Sequence, residues 1–189
     1  MAKNKKTNAM RMLDRAKIKY EVHSFEVPEE HLSGQEVAEL IQANVKTVFK
    51  TLVLENTKHE HFVFVIPVSE TLDMKKAAAL VGEKKLQLMP LDNLKNVTGY
   101  IRGGCSHVGM KTLFPTVVDK SCENYSHISV SGGLRTMQIT IAVEDLITIT
   151  KGKIWPDIHE WLITTKSMWQ DYECDRGEII IKLNTATPL

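Results

Sequence analysis

The chain has 189 residues, of which 43% are hydrophobic and 25% are charged, and its net charge is +1. These values indicate one globular domain that can bury a sizeable core. No apolar run reaches the roughly 18 residues of a membrane helix, and the N-terminus lacks the apolar core of a signal peptide, so we expect a soluble, cytoplasmic protein. The three cysteines, Cys105, Cys122 and Cys174, form no C-x-x-C pair, which argues against a disulfide framework and a zinc knuckle.

The positive charge is concentrated at the N-terminus. Residues 1–19 contain seven Lys or Arg and one acid, Asp14, which gives this segment +6 and leaves the remainder of the chain at −5. A basic arm ahead of a nearly neutral body is typical of proteins that bind a polyanion, since phosphate contacts dominate affinity for nucleic acids. A solubilising N-terminal tail has the same composition, so the sequence leaves both interpretations open.

The first half of the chain predicts two helices and a hairpin. A 3.6-residue apolar period predicts a helix over residues 7–17, and alternation predicts a strand over residues 20–25. Ser33–Glu36 has the S-x-x-E form of a capping box, which predicts the start of a second helix. The β-branched runs Val45–Leu54 and Phe62–Val68 then predict the two strands of a hairpin.

Lys50 interrupts the first of these apolar runs, between Phe49 and Thr51. Burial of an unpaired ammonium group is costly. The side chain therefore either extends to solvent or faces a wet pocket with an anionic ligand, and the pattern alone leaves both open.

The second half predicts short alternating elements. They are a helix over Asp73–Gly82, a helical turn after Pro90, strands at Thr116–Asp119, Ile128–Ser131 and Met137–Ala142, a helical turn at Val143–Leu146 and a closing strand at Ile147–Thr150. Residues 151–189 differ in character, with three tryptophans, and predict a helix from Pro156 to about Met168 and a last strand at Glu178–Leu183. We treat them as a C-terminal extension of unknown role after a domain over residues 1–150.

The segment Gly99–Lys111 carries four of the ten glycines together with Cys105 and His107. Exposed N–H groups on a glycine loop bind carbonyls, phosphates or oxyanions without a charged side chain. A tight connection between two strands is the alternative. A second pair, Gly132–Gly133, follows Ser131 and strengthens the interpretation as a site.

Common catalytic and metal-binding patterns are absent or incomplete. Cys105 and His107 are two residues apart, but catalytic thiol and imidazole groups usually meet across the fold, so we do not expect a nucleophile pair. His59 and His61 lack a third ligand, and we expect them to be solvated turn residues. The sequence has no G-x-G-x-x-G and no G-x-x-x-x-G-K-[ST] motif, so it lacks the usual nucleotide-binding signatures.

Motifs in several parts of the chain occur in the order and spacing of one known family. They are Val48–Val53, Gly99–Ser106, Val108–Lys111, Pro115–Asp119 and Ile128–Gly133. Together they resemble the YbaK family of aminoacyl-tRNA editing proteins over about residues 7–150. The family comprises freestanding relatives of the editing domain inserted in bacterial prolyl-tRNA synthetases, and its namesake hydrolyses cysteine mischarged onto proline tRNA.

This resemblance implies an α/β fold in which a curved, mostly antiparallel sheet forms a barrel-like pocket with helices packed outside. It also implies the site residues: Lys50 and Gly103 as catalytic groups, and Tyr20, Gly104, Ser131 and Gln138 as substrate-binding groups. No cofactor and no metal are implied. In the implied mechanism the thiol of the substrate's own cysteine attacks its ester carbonyl, while the pocket supplies orientation and oxyanion stabilisation.

The chain departs from the family pattern at Gln138, where well-known members carry an aspartate, and at His107, where a proline is common. The resulting prediction is a trans-editing deacylase of Cys-tRNA(Pro) that associates transiently with prolyl-tRNA synthetase. A deacylase of another small residue, such as Ala-tRNA(Pro), and a non-catalytic module that binds aminoacyl-tRNA or a synthetase are the alternatives. The oligomeric state is left open.

Overall fold

The computed structural model describes residues 6–27, 32–155, 174–175 and 178–179. The five helices of this part are α1 Asn8–Arg15, α2 Gly34–Leu40, α3 Met74–Leu80, α4 Leu91–Thr98 and α5 Val143–Thr150. Its first eight strands are β1 Tyr20–Ser24, β2 Phe49–Glu55, β3 His61–Pro67, β4 Gln87–Leu88, β5 Thr116–Asp119, β6 His127–Ser131, β7 Met137–Ala142 and β8 Lys153–Trp155. Two-residue strands β9 Cys174–Asp175 and β10 Glu178–Ile179 pair with each other.

The strands of the main body form two sheets that touch at one point. The first is antiparallel, in the order β1-β7-β6, and the second is mixed, in the order β4-β2-β3-β5-β8. A parallel bridge between Val48 and Ser129 connects them. The α/β class is confirmed. The barrel-like closure is not confirmed, because neither sheet closes on itself within the described residues.

Strand β3 explains how the larger sheet is buried. Val63 and Val65 face one hydrophobic cluster, which includes Leu13 of α1. Phe62 and Phe64 face a second cluster, which includes residues of α3. A strand covered on both faces reads as a continuous apolar run rather than as an alternating one, and this is the pattern of β3 in the sequence.

Local capping signals are borne out. Ser33 accepts a hydrogen bond from the Glu36 amide at 3.2 Å, and the Glu36 carboxylate accepts one from the Ser33 amide at 2.7 Å, which completes the predicted capping box. Thr7 caps α1 by accepting from the Met10 amide. Asp73 caps α3 by accepting from the amides of two lysines.

The predicted helical turn at Val143–Leu146 is confirmed as the start of α5, but the predicted closing strand at Ile147–Thr150 is wrong, since these residues continue the same helix. The β-branched residues favoured a strand, but Val143, Leu146 and Thr150 are all buried at helical spacing and tertiary packing decides. The strand follows at β8, which pairs in parallel with β5. The division of the chain at residue 150 stays a prediction.

Two further boundaries differ from the sequence expectations. A 3-10 helix, Val45–Thr47, precedes β2, and α4 runs to Thr98 instead of ending within one turn. The predicted helix over residues 156–168 lies outside the described residues, as does the predicted last strand beyond Ile179. None of the described helices is long and apolar enough to cross a membrane.

Candidate active site

A cavity of about 540 Å³ opens along one edge of β2. The opposite edge pairs with β3 along the whole strand. On the cavity edge, β2 meets β6 through the bridge between Val48 and Ser129, and β4 at Leu54 and Glu55. Between these contacts, residues 49–52 pair with no strand on this edge in the described part of the chain, and they line the cavity. The incomplete pairing of β2 therefore creates the site.

Lys50 lines this cavity, and its ammonium group is held at the end of β3. Nζ donates hydrogen bonds to the carbonyl oxygens of Glu70 at 2.6 Å and Val68 at 3.3 Å. Burial lowers the pKa of Lys50, and the negative charge of Glu70 partly opposes that change. The side chain thus faces a pocket, which was one of the two interpretations that the sequence left open.

Gly103 and Gly104 require glycine for different structural reasons. Gly103 lines the cavity with φ of +80°, a left-handed conformation that favours glycine. Gly104 is buried, and a Cβ there would lie 2.9 Å from the amide nitrogen of Arg135 and from the carbonyl carbon of Leu134. The Gly104 amide donates to the Ile101 carbonyl at 3.0 Å, so it is engaged within the turn. Gly103 borders the cavity space, whereas Gly104 packs two loops together.

Ser131 and Gln138 face each other in register across β6 and β7, and both line the cavity. The Ser131 hydroxyl accepts a hydrogen bond from the Gly133 amide at 3.3 Å. Gln138 is 8% exposed, and its Oε1 is buried with no hydrogen-bond partner among the described residues. An unsatisfied buried acceptor is costly, so a hydrogen bond to this oxygen would stabilise the site.

Tyr20, like Gly104, is a predicted site residue that lies outside the cavity lining. It lies on β1, and its hydroxyl donates to the Asp14 carboxylate at 2.9 Å. Burial, together with this hydrogen bond to Asp14, raises the pKa of Tyr20 to about 12. Its substrate-binding role stays a prediction.

Cys105 and His107 do not form a catalytic pair. Cys105 lines the cavity, and burial raises the pKa of its thiol to about 12, so the thiol is protonated at neutral pH. His107 is 4% exposed, burial lowers its pKa to about 4, and its Nδ1 lies 3.2 Å from the Thr51 hydroxyl oxygen. A neutral thiol and an imidazole paired with a threonine do not make an activated nucleophile.

At the other end of β2, the buried Glu55 carboxylate lies 3.4 Å from His59 Nδ1 and 3.7 Å from His61 Nε2. The Glu55 carboxylate also accepts a hydrogen bond from the side-chain nitrogen of Gln87, Nε2, at 2.9 Å. The side chain of His59 is 77% exposed, as expected for a turn residue, but that of His61 is 16% exposed, so the expectation of two solvated imidazoles is wrong for His61. Within the described ranges no group of three His, Cys, Asp or Glu is arranged to hold a metal.

Sequence reasoning missed two cavity residues, Arg102 and Arg135. Both are exposed and border the cavity from two different loops. A signal was present, because Arg102 directly precedes Gly103 and Arg135 follows Gly133 by two positions. Basic residues beside glycine pairs are positioned to bind an anion near exposed backbone.

Comparison with known proteins identifies the family of the chain. The model of the aminoacyl-tRNA editing domain matches residues 28–149. The chain belongs to this family. A relative from Enterococcus faecalis (strain ATCC 700802 / V583), EbsC, is assigned as a Cys-tRNA(Pro)/Cys-tRNA(Cys) deacylase; it is 45% identical over 156 residues, which cover 81% of this chain and 95% of the relative.

Solved structures of low sequence identity share the fold of this editing domain. One is assigned as a trans-editing enzyme for prolyl-tRNA synthetase, with a TM-score of 0.69 and 23% identity over 79% of this chain and 93% of the other. Another is a hypothetical protein with a TM-score of 0.71 and 19% identity over 80% of this chain and 98% of the other. The predicted family and the predicted enzyme class, an aminoacyl-tRNA deacylase, are confirmed at the level of the family.

Proposed function

We propose that the protein is a trans-editing hydrolase that removes cysteine from mischarged proline tRNA. The observation that carries this proposal is the cavity beside β2, where Lys50, Gly103 and Gln138 border the same space. The assignment of the Enterococcus relative to Cys-tRNA(Pro) and Cys-tRNA(Cys) supports the substrate class. The proposed place of action is the cytoplasm, where tRNA is charged.

The groups of the cavity divide the work of binding the ester-linked 3′ nucleoside. Gln138 Oε1 accepts a hydrogen bond from a ribose hydroxyl, which satisfies its buried acceptor. Ser131, opposite Gln138 in the β6–β7 register, adds a second polar group to the same wall. Lys50 supplies positive charge where negative charge develops on the ester. Tyr20, on the neighbouring strand, is retained as a predicted binding residue.

The reaction uses no nucleophile from the protein. The cysteine sulfur of the substrate attacks the carbonyl carbon of its own ester, the bond to the ribose oxygen breaks, and the thiol proton goes to that oxygen. Water then opens the resulting cyclic thioester. The neutral Cys105 thiol plays no part in this sequence, and proximity within the closed pocket supplies much of the rate increase.

The oxyanion of this reaction is stabilised by Lys50 and by the amide of Gly103. Gly104 is assigned a different role from the one implied by the family resemblance, because its own amide already donates to the Ile101 carbonyl. It acts on the substrate through the shape of the loop. Prolyl-tRNA synthetase is the proposed protein partner. Transient association with it would deliver the mischarged tRNA.

The test is the release of labelled amino acid from Cys-tRNA(Pro), with Cys-tRNA(Cys), Ala-tRNA(Pro) and Pro-tRNA(Pro) alongside. We expect selective release of cysteine, and a loss of at least about hundredfold in Lys50→Ala, since removal of one such electrostatic group costs 10²–10³ in rate. Lys46→Ala is the matched control, because Lys46 is exposed outside the cavity lining.

Each alternative has its own outcome in this experiment. Release of alanine alone would assign the protein to Ala-tRNA(Pro). This alternative is open because a group as small as one methylene changes binding by only about 1–3 kcal/mol, and the size of the pocket decides which small residue is accepted. Binding of tRNA without release of any amino acid above buffer would make the protein a binding module and contradict the proposal.

A further inference from the structure

The charged residues that border the cavity all carry the same sign. Within the described residues, three basic side chains line it, Lys50, Arg102 and Arg135, and no Asp or Glu does. Lys50 is half-buried and bonded to main-chain carbonyls, whereas both arginines are exposed at the rim. Three basic side chains around one cavity favour an anionic ligand.

The two arginine loops are packed against each other. Gly104, two residues after Arg102, is buried against the backbone of Leu134 and Arg135, and a Cβ at Gly104 would lie 2.9 Å from the Arg135 amide nitrogen. The Met137 amide closes the second loop through a hydrogen bond to the Leu134 carbonyl at 3.2 Å. Close packing of the two turns fixes the distance between the points from which the guanidinium groups extend.

The basic N-terminal segment joins the body at the same place. The Thr7 hydroxyl, at the start of α1, donates to the Gly132 carbonyl at 2.6 Å, and Gly132 opens the loop that carries Arg135. Helix α1 is therefore anchored at its start to the loop that carries Arg135. Lys6, directly before Thr7, pairs with the Asp14 carboxylate on the same helix.

We propose that Arg102 and Arg135 form a phosphate clamp that binds the sugar-phosphate backbone of a single-stranded RNA 3′ end whose last nucleoside occupies the cavity. This inference rests on the proposed function and extends it to the way in which the RNA is held. Guanidinium groups bind phosphate oxygens through two parallel hydrogen bonds, which lysine cannot do. Because the terminal ribose carries the ester inside, its 5′ phosphate must leave through the rim.

The test measures binding of a short single-stranded RNA that ends in CCA and carries no amino acid. Its affinity is measured as a function of salt for the wild type and for the double variant Arg102→Gln/Arg135→Gln. For single strands, each phosphate contact contributes about 0.7 to the slope of log affinity against log salt, so we expect the slope to fall by roughly 1.4. Affinity at low salt should fall about tenfold or more. Lys84→Gln, an exposed residue outside the cavity lining, should change neither quantity.

Two further measurements make the outcome specific. Arg102→Lys/Arg135→Lys should restore the salt slope but not the full affinity, because it keeps the charge and loses the bidentate geometry. Cleavage of cysteinyl-adenosine, which has no phosphate, should be affected at least about tenfold less by the glutamine variant than cleavage of the tRNA ester. Since the RNA used for binding carries no amino acid, its result does not depend on deacylation. An unchanged slope and affinity, or equal losses on both esters, would overturn the clamp.

Discussion

Two charged side chains lie in the same core-like strand, β2, and differ in what surrounds them. Glu55 is 2% exposed, and its carboxylate accepts a hydrogen bond from Gln87 and lies against two imidazoles. Lys50 borders the cavity, and its ammonium donates to two main-chain carbonyls. A buried charge that side chains of the protein satisfy serves the fold, whereas a charge on a cavity wall, bonded only to main-chain carbonyls, is placed to serve a ligand.

The largest expected effect comes from Lys50→Met, which keeps much of the apolar stem and removes the charge. We expect kcat/KM for the mischarged tRNA to fall at least about hundredfold, because the positive charge acts on the reacting ester. The urea unfolding midpoint should change little, since the ammonium is bonded only to carbonyls that solvent can also reach. Loss of folding in proportion to loss of activity would make Lys50 a structural residue like Glu55.

Glu55→Gln should show the opposite pattern. It removes the charge that faces His59 and His61 and weakens the hydrogen bond from Gln87, so the free energy of unfolding should fall by about 1–3 kcal/mol. Deacylation by the folded variant should stay within about threefold of wild type, because Glu55 lies at the end of β2 away from Lys50. Denaturant unfolding measures the first quantity and a deacylation assay the second.

The control is Glu39→Gln, an exposed glutamate on α2, which should shift the free energy of unfolding by less than about 0.5 kcal/mol. If Glu55→Gln were as stable as this control but inactive, the contrast between the two ends of β2 would be wrong.

The ionisation of Glu55 should also make the free energy of unfolding depend on pH, which is a smaller effect. The hydrogen bond from Gln87 lowers the pKa of Glu55, and the neighbouring imidazoles add to this against the opposing effect of burial. A carboxyl group with a lowered folded pKa contributes stability above its unfolded value, about 4.3, and loses it as pH falls through the folded pKa. The stability difference between wild type and Glu55→Gln should therefore be full at pH 6–7 and shrink below about pH 4. Urea unfolding across this range measures it, and a difference that grew on acidification would contradict the assignment.

Several helix starts and the central hairpin of the fold follow from short-range sequence signals. The capping box at Ser33, the Asp73 cap and the hairpin of β2 and β3 depend on local chemistry and period, and each was predictable. The second half of α5, Ile147–Thr150, is wrongly predicted as a strand, because its β-branched residues favour strands and only packing against the sheets reveals the helical face.

The site divides in the same way. Lys50 stood out because a charge in an apolar run demands an explanation, and family motifs identified the glycine loop. The partner of Lys50, the main-chain carbonyls at the end of β3, lies 18 and 20 residues away and could not be read from spacing. The rim arginines were missed because each is an ordinary exposed residue in sequence, and only the packing of Gly104 on the second loop brings them to one opening.

The smallest expected effect belongs to Cys105, whose position beside the cavity invites a catalytic role. Burial raises its thiol pKa to about 12, and the imidazole two residues away is paired with Thr51 and itself has a pKa lowered to about 4, so neither group supplies a thiolate at neutral pH. Cys105→Ala should keep deacylation within about threefold of wild type. Cys122→Ala is the matched control for loss of a buried thiol outside the cavity lining. A loss of activity confined to Cys105→Ala, with stability intact, would mean that the protein and not the substrate provides the sulfur nucleophile, and the contrast between a wall that orients and a substrate that reacts would fail.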